Sequence, residues 1–215
     1  MNKNYFFLII LFFLFFIPES KASHLLGSDI TYSCIGNNQY LVTLTLYRDC
    51  AGIIAPGTQT LDYSSSCGNG TIALNRIDQN DITPLCPTET SSCSGGGTYG
   101  VQENIYQGTL TLPPNICNDW VLSWQECCRN DAINTLNGAG SQNMYNSTLL
   151  DNTLNPNCNS SPIFNNTPGS FVCINQPYTY NHGVSDIDGD SLYFSLGSCY
   201  QSSSSQVVYA SGYSG

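Results

Sequence analysis

Gln39-Tyr40-Leu41-Val42-Thr43-Leu44-Thr45-Leu46-Tyr47-Arg48-Asp49 alternates Tyr40, Val42, Leu44 and Leu46 with Leu41, Thr43, Thr45 and Tyr47. A period of two is the mark of a strand with one face against a core, because successive side chains leave a pleated backbone on opposite sides. The β-branched and aromatic content fits that surface. Asp29 to Cys34 precedes this stretch, and Gly36-Asn37-Asn38 between them supplies residues that tolerate positive φ, so the two segments read as a hairpin.

The same alternation returns at Ile105 to Leu112, with Tyr106, Leu110 and Leu112 on one side and Gln107, Thr109 and Thr111 on the other, until Pro113-Pro114 stops it. Trp120 to Glu126 puts Trp120, Leu122 and Trp124 on a common face. Two readings stand for these tryptophans: a plug for the core, or a platform for stacking a ligand. Weaker strand patterns occur at Leu61–Ser64, Thr71–Leu74, Met144–Leu150, Phe171–Ile174, Tyr178–Asn181, Leu192–Leu196 and Gln206–Tyr209. Short β runs between Gly, Pro and Asn clusters, with no long amphipathic helix, predict an all-β protein. The expected architecture is a disulfide-stapled antiparallel β-sandwich over 23–155, followed by a second, incomplete Ig-like or cadherin-like module over 156–215. The Asn-rich stretch Asp151 to Pro162 marks the boundary, and the chain stops at Tyr213-Ser214-Gly215 without a closing turn.

Residues 1–22 carry a basic start, an apolar run from Tyr5 to Ile17, and the exit Pro18-Glu19-Ser20-Lys21-Ala22. This pattern reads as a cleaved export signal, too short to span a bilayer comfortably. Beyond Ala22 three arginines stand against fourteen carboxylates, a formal charge of −11, and there is no lysine. Such a surface repels nucleic acid and anionic lipid and suits divalent cations. No membrane insertion is expected after signal cleavage.

Export decides what eleven cysteines mean: Cys34, Cys50, Cys67, Cys86, Cys93, Cys117, Cys127, Cys128, Cys158, Cys173 and Cys199 are disulfide candidates before anything else. No Cys-x-x-Cys pair occurs, which argues against structural zinc. Cys86–Cys93 and Cys173–Cys199 are convenient local pairs, and a bond at Cys93 would pin the loop from Cys86 to Gly100. Adjacent Cys127 and Cys128, if in a strand, would face opposite ways and bond to different partners.

Ser185-Asp186-Ile187-Asp188-Gly189-Asp190-Ser191-Leu192 is the one stretch with a specific chemical reading. Asp186, Asp188 and Asp190 can turn hard oxygens to one side, which favours Ca²⁺, although three carboxylates alone do not fill a shell of six to eight oxygens. The other reading is an acidic Asp-Gly turn entering a strand. No catalytic residues are assigned: there is no Gly-x-Ser-x-Gly elbow, and His24 and His182 lack an indicated nucleophile.

Several segments taken together carry a resemblance: Ser23-His24-Leu25-Leu26-Gly27-Ser28-Asp29, Tyr47-Arg48-Asp49-Cys50, Cys127-Cys128-Arg129-Asn130, Asn159-Ser160-Ser161-Pro162-Ile163-Phe164 and Ser185 to Leu192. In this order the chain resembles the N-terminal region of large gliding motility-associated surface proteins of Bacteroidetes, type IX secretion substrates with repeated PKD-type or Ig-like modules. Pro162 to Leu196 is also similar to cadherin-like modules, and that similarity implies calcium at Asp186 and Asp188. The expected role is a non-catalytic extracellular scaffold or adhesion module of a larger cell-surface protein, with other modules of that protein, surface glycans or proteins as partners. The competing expectation is a secreted carbohydrate-binding module, or part of a polysaccharide-degrading enzyme, stacking sugars on Trp120 and Trp124.

Overall fold

The computed structural model describes residues 24–153, 158–169, 171–172 and 175–215. The signal segment 1–22, the boundary at 155 and Cys173 lie outside the described residues.

One antiparallel sheet carries the fold: β1 (Leu25–Gly36), β2 (Gln39–Asp49), β3 (Thr58–Ser65), β4 (Gly68–Asp81), β5 (Val101–Thr111), β6 (Trp120–Glu126) and β7 (Met144–Leu150). Its spatial order is β1-β2-β5-β4-β3-β6-β7, so the sheet is nearly barrel-like and packs against itself as a sandwich would. The β1–β2 hairpin turns through Gly36, Asn37 and Asn38, with φ of 88°, 54° and 57°. These are left-handed values that glycine and asparagine adopt at least cost. Pairing then runs from Gly36↔Gln39 down to Leu25↔Arg48. At Gly108 on β5 a Cβ would sit 2.6 Å from the Ala73 carbonyl oxygen, so only glycine lets β4 cross there.

The alternation read from β2 is what fills the interior. Tyr40, Val42, Leu44 and Leu46 are at most 1% exposed, and Tyr106, Leu110, Leu61, Leu74, Leu122 and Leu150 join them. Trp120 and Trp124 stand at 0% and 1% exposed within the same cluster. At one end the interior becomes polar. Arg48 Nε donates to Gln102 Oε1 at 2.8 Å, and its Nη1 donates to the carbonyls of Gly52 and Ile53. Arg76 Nη1 reaches the Ala55 carbonyl at 3.0 Å, and the Tyr106 hydroxyl donates to Pro56 O at 2.8 Å. Residues 50–57 thus lid the barrel end, held by guanidinium-to-carbonyl bonds.

The two sheet edges, β1 and β7, approach each other without a ladder. Asn146 Nδ2 donates to Ser28 O at 2.8 Å and the Tyr32 hydroxyl to Leu149 O at 2.9 Å. A strap closes this seam: Ser161 N–H donates to Tyr32 O, Tyr32 N–H donates back to Ser161 Oγ, both at 2.8 Å, and Cys34 bonds Cys158. An edge strand whose amides are taken in this way cannot pair with another chain.

Residues 158–215 form an arm with little ladder of their own: β8 (Ile163–Phe164) pairs β9 (Val184–Ser185), and Gln206 and Tyr209 make isolated bridges. The strands expected at 178–181 and 192–196 are absent, and residues 171–172 of the expected 171–174 strand are irregular. Period-two patterning alone makes no strand where no neighbour offers amides and carbonyls. The arm's tail docks through Val207 onto Leu136 and Ala139, and Gln142 Nε2 bonds the carbonyls of Asn137 and Val208.

The cysteine pairing corrects two expectations. Cys93 bonds Cys50 rather than Cys86, which ties the 92–98 loop to the end of β2 across 43 residues. Cys67 bonds Cys117. Cys127 and Cys128 bond each other, because β6 ends at Glu126 and the pleat that would separate them does not extend that far. Cys86 and Cys199 are free thiols on the surface, and Cys173, the expected partner of Cys199, lies outside the described residues.

Candidate binding cleft

The arm covers part of the outward face of the sheet. Gly27, Ser28 and Asp29 of β1, Tyr47 of β2 and Val101 of β5 form the floor of a cleft of about 460 Å³, with Ile82 and Tyr99 at its side. The arm supplies its roof through Phe164, Asn166, Pro168, Gly169, Tyr180 and His182. That volume is in the range of small-molecule sites.

Local sequence explains the floor. β1 carries a register shift between Leu25 and Gly27, and Gly27 lies opposite Tyr47. A Cβ at Gly27 would lie 3.5 Å from Tyr47 Cδ2, so the bare glycine leaves that ring only half-buried. The roof is built from rings and amide brackets. His182 packs edge-on against Tyr180 at 4.7 Å and against Phe164 at 5.9 Å, and Tyr178 stacks on Tyr180. Asn166 Nδ2 donates to Asn181 O at 2.7 Å, and the Tyr180 hydroxyl donates to Asn166 O at 2.8 Å. Gly183, at φ 59°, passes so close to Asn166 that a Cβ would meet its amide nitrogen at 2.7 Å.

The electrostatics are one-signed. Burial pushes the Asp29 carboxyl up to about 6; a hydrogen bond with Thr45 works the other way, and repulsion from Glu103 adds to the rise. Tyr47, burdened first by burial and then by the charges of Asp29 and Glu103, is held well above the ordinary phenol value. No lysine or arginine lines the cleft. Arg48 and Arg129 are buried elsewhere, and both are pushed down first by desolvation.

The residues singled out from sequence lie apart from this cleft. Trp120 and Trp124 are interior, and Trp124 Nε1 donates to Gln59 Oε1 at 3.1 Å, so neither ring offers a face for stacking a ligand. In the acidic turn, Asp186 Oδ1 accepts from the backbone N–H of Asp188 at 2.9 Å and of Asp190 at 3.0 Å. Asp188 Oδ2 accepts the Ser160 N–H at 2.7 Å, so it anchors the strap. Among the described residues no three His, Cys, Asp or Glu side chains gather in a metal-binding group. Sequence reasoning weighed His182 only as a catalytic base and found no nucleophile for it, and it passed over Asp29, Tyr47, Tyr99, Phe164 and Tyr180 as site residues. The available signal was Tyr47, a large ring on the otherwise smaller, hydroxyl-rich face of β2.

A second convergence involves the Tyr-Arg-Asp-Cys and Cys-Cys-Arg-Asn stretches. Asn130 Nδ2 donates to Asp49 Oδ2 at 3.1 Å across 81 residues. Asn130 N–H donates to Leu25 O and Leu25 N–H to Cys128 O. Arg129 donates to the carbonyls of Asn143 and Tyr200. These stretches are joints between the chain start, β2, the loop after β6 and the arm.

No protein-family model, curated protein or solved structure matches this chain. No helix among the described residues is long and apolar enough to cross a membrane. Several disulfides in one small chain accord with an oxidising, extracellular environment.

Proposed function

We propose that this chain is a non-catalytic, exported scaffold or adhesion module of a bacterial cell-surface protein. One observation carries the proposal: Cys34–Cys158, Cys50–Cys93 and Cys67–Cys117 each join segments 43 to 124 residues apart. Together they fix the loops and the arm onto a single packed barrel. Cross-links of that reach remove chain entropy from the unfolded state, and losing one from a small exported domain typically costs about 2–5 kcal/mol. A body so fastened holds its outer face rigid outside the cell, which is what a projecting module requires. The test is a thermal melt with and without reductant. We expect reduction to unfold the protein near room temperature; a reduced sample that melts where the oxidised one does would overturn the proposal.

Calcium at Asp186, Asp188 and Asp190 is a subordinate part of the same proposal, rigidifying the turn that anchors the strap. A melt in calcium against chelator, repeated on Asp190→Asn, checks it. A bound ion at a hundredfold excess over Kd stabilises by about 2.7 kcal/mol, and an unchanged melting temperature dismisses it.

A further inference from the structure

We propose that the cleft under the arm is a binding site for a small quaternary ammonium compound, with Asp29 as counter-ion and the rings of Tyr47, Tyr99 and Tyr180 as walls. Three observations lead there. First, the cleft of about 460 Å³ has aromatic side chains on floor, side and roof, drawn from two parts of the chain. Ring faces carry negative potential and attract cations, most strongly when both are desolvated. Second, a half-buried carboxyl sits in the floor with no lysine or arginine among the lining residues. The groups facing it are Thr45 and Tyr47 from β2 and Glu103 from β5, with Tyr180 and His182 above in the arm. None of these four uncharged or acidic groups on the sheet and arm neutralises it, and His182 is turned into ring contacts with Phe164 and Tyr180.

Third, several of the remaining polar groups are already drawn into bonds within the chain, which leaves few donors and acceptors turned to a ligand. Asn166 Nδ2 is bonded to Asn181 O, and Ser28 accepts from Asn146 on both its carbonyl and hydroxyl oxygens. A sugar needs many donors and acceptors, and a primary ammonium needs three acceptors. A quaternary ammonium needs none, only ring faces and one negative charge. The mature formal charge of −11 adds a long-range pull of the same sign.

The experiment uses the full mature chain with its disulfides intact and choline as probe, against 3,3-dimethyl-1-butanol, its uncharged isostere. Binding is followed by calorimetry and by tyrosine ring resonances. We expect choline to bind at least about tenfold more tightly than the alcohol at about pH 8, the margin expected of a desolvated cation on aromatic walls. That margin should shrink as pH falls through about 6, where the Asp29 carboxylate is lost. His182→Gln should leave the midpoint in place. Asp29→Asn should abolish preference for the charged probe, and Tyr180→Ala should weaken binding of choline in a chain whose melting temperature is unchanged. Equal affinity for the two probes overturns the proposal on the unaltered protein, whatever the variants do. So does an absence of binding, a midpoint that moves with His182→Gln, or a neutral oligosaccharide such as laminaritetraose that binds instead of choline. Each of these outcomes is independent of the reduction melt, so the scaffold proposal stands or falls separately.

Discussion

The barrel of β1 to β7 and the arm of 158–215 are made of similar residues but held by different forces. In the barrel, backbone groups bond to neighbouring strands in register, and the side chains between them exclude water almost completely. In the arm the ladder is short, and many backbone groups bond to side chains instead, as in the Asn166 bracket and the Asp186 turn. Apart from Val207, most of its large apolar side chains stay in water: Tyr193 is 91% exposed and Leu196 fully so. Burial of apolar area is the main source of folding free energy, so the barrel carries the stability and the arm borrows it through joints. The difference explains where a cleft can form: at the contact between a rigid face and a segment whose position is fixed by a few specific bonds.

The largest effect should come from the barrel interior. Trp124→Ala removes a fully buried indole and leaves Gln59 without its donor. We expect a loss of about 3–5 kcal/mol, read as a large drop in the denaturant midpoint, with the arm unfolding in the same transition. Next comes the joint. Replacing both Cys34 and Cys158 by Ser cuts a cross-link spanning 124 residues that packs only against the rim of the barrel interior. About 2–4 kcal/mol should be lost. The arm should also become open to limited proteolysis near 158–162 before the barrel melts. Loss of both regions together would show that the arm is not a dependent segment but part of the cooperative unit.

Those two sites also mark what the sequence could reveal. β2, β1, β5 and β6 were legible because a strand with one buried face must alternate, and Tyr40, Val42, Leu44 and Leu46 do so. The order of strands was not legible, since β2 meets β5 and β3 meets β6 across long loops, and no local pattern encodes a partner. The same alternation misled at 192–196, where the residues have the tendency to extend but no adjacent ladder. Cysteine spacing misled for a related reason. Cys86 is near Cys93 in sequence, but the fold carries Cys93 to Cys50 beside the end of β2, with Cys50 N–H bonded to Gly100 O. The cleft was least legible of all. Asp29 and Tyr47 sit on the face that alternation labels as outward, and only the arm, joined from elsewhere in the chain, turns that face into a floor.

A smaller effect, and one with a pH signature, belongs to the contact between the regions. Asp29 has a folded value raised to about 6 by burial, against about 3.9 in an unfolded chain. Between those values the folded state holds a proton that the unfolded state has lost, so stability falls as pH rises. The contribution is fully present below about pH 4 and gone once pH has passed through about 6. Asp29→Asn, which keeps shape and cannot ionise, should therefore melt above the unaltered protein at about pH 8 and level with it at about pH 3.5. A gap that is constant across this range would place Asp29 in a solvated setting and remove the electrostatic contrast between the cleft and the rest of the sheet.

Leu196→Ser should have the smallest effect. A leucine that is already fully exposed loses no burial when shortened, and surface substitutions of this kind usually stay within about 0.5 kcal/mol. We expect an unchanged melting temperature at low protein concentration. The comparison gains from repeating the melt at high concentration, because exposed apolar groups such as Tyr193, Phe194 and Leu196 in one short run promote contact between molecules. If Leu196→Ser lowers the melting temperature only when the protein is concentrated, the run is covered by another copy. If it lowers it at every concentration, Leu196 is packed within its own chain and the arm is better buried than its surface here indicates.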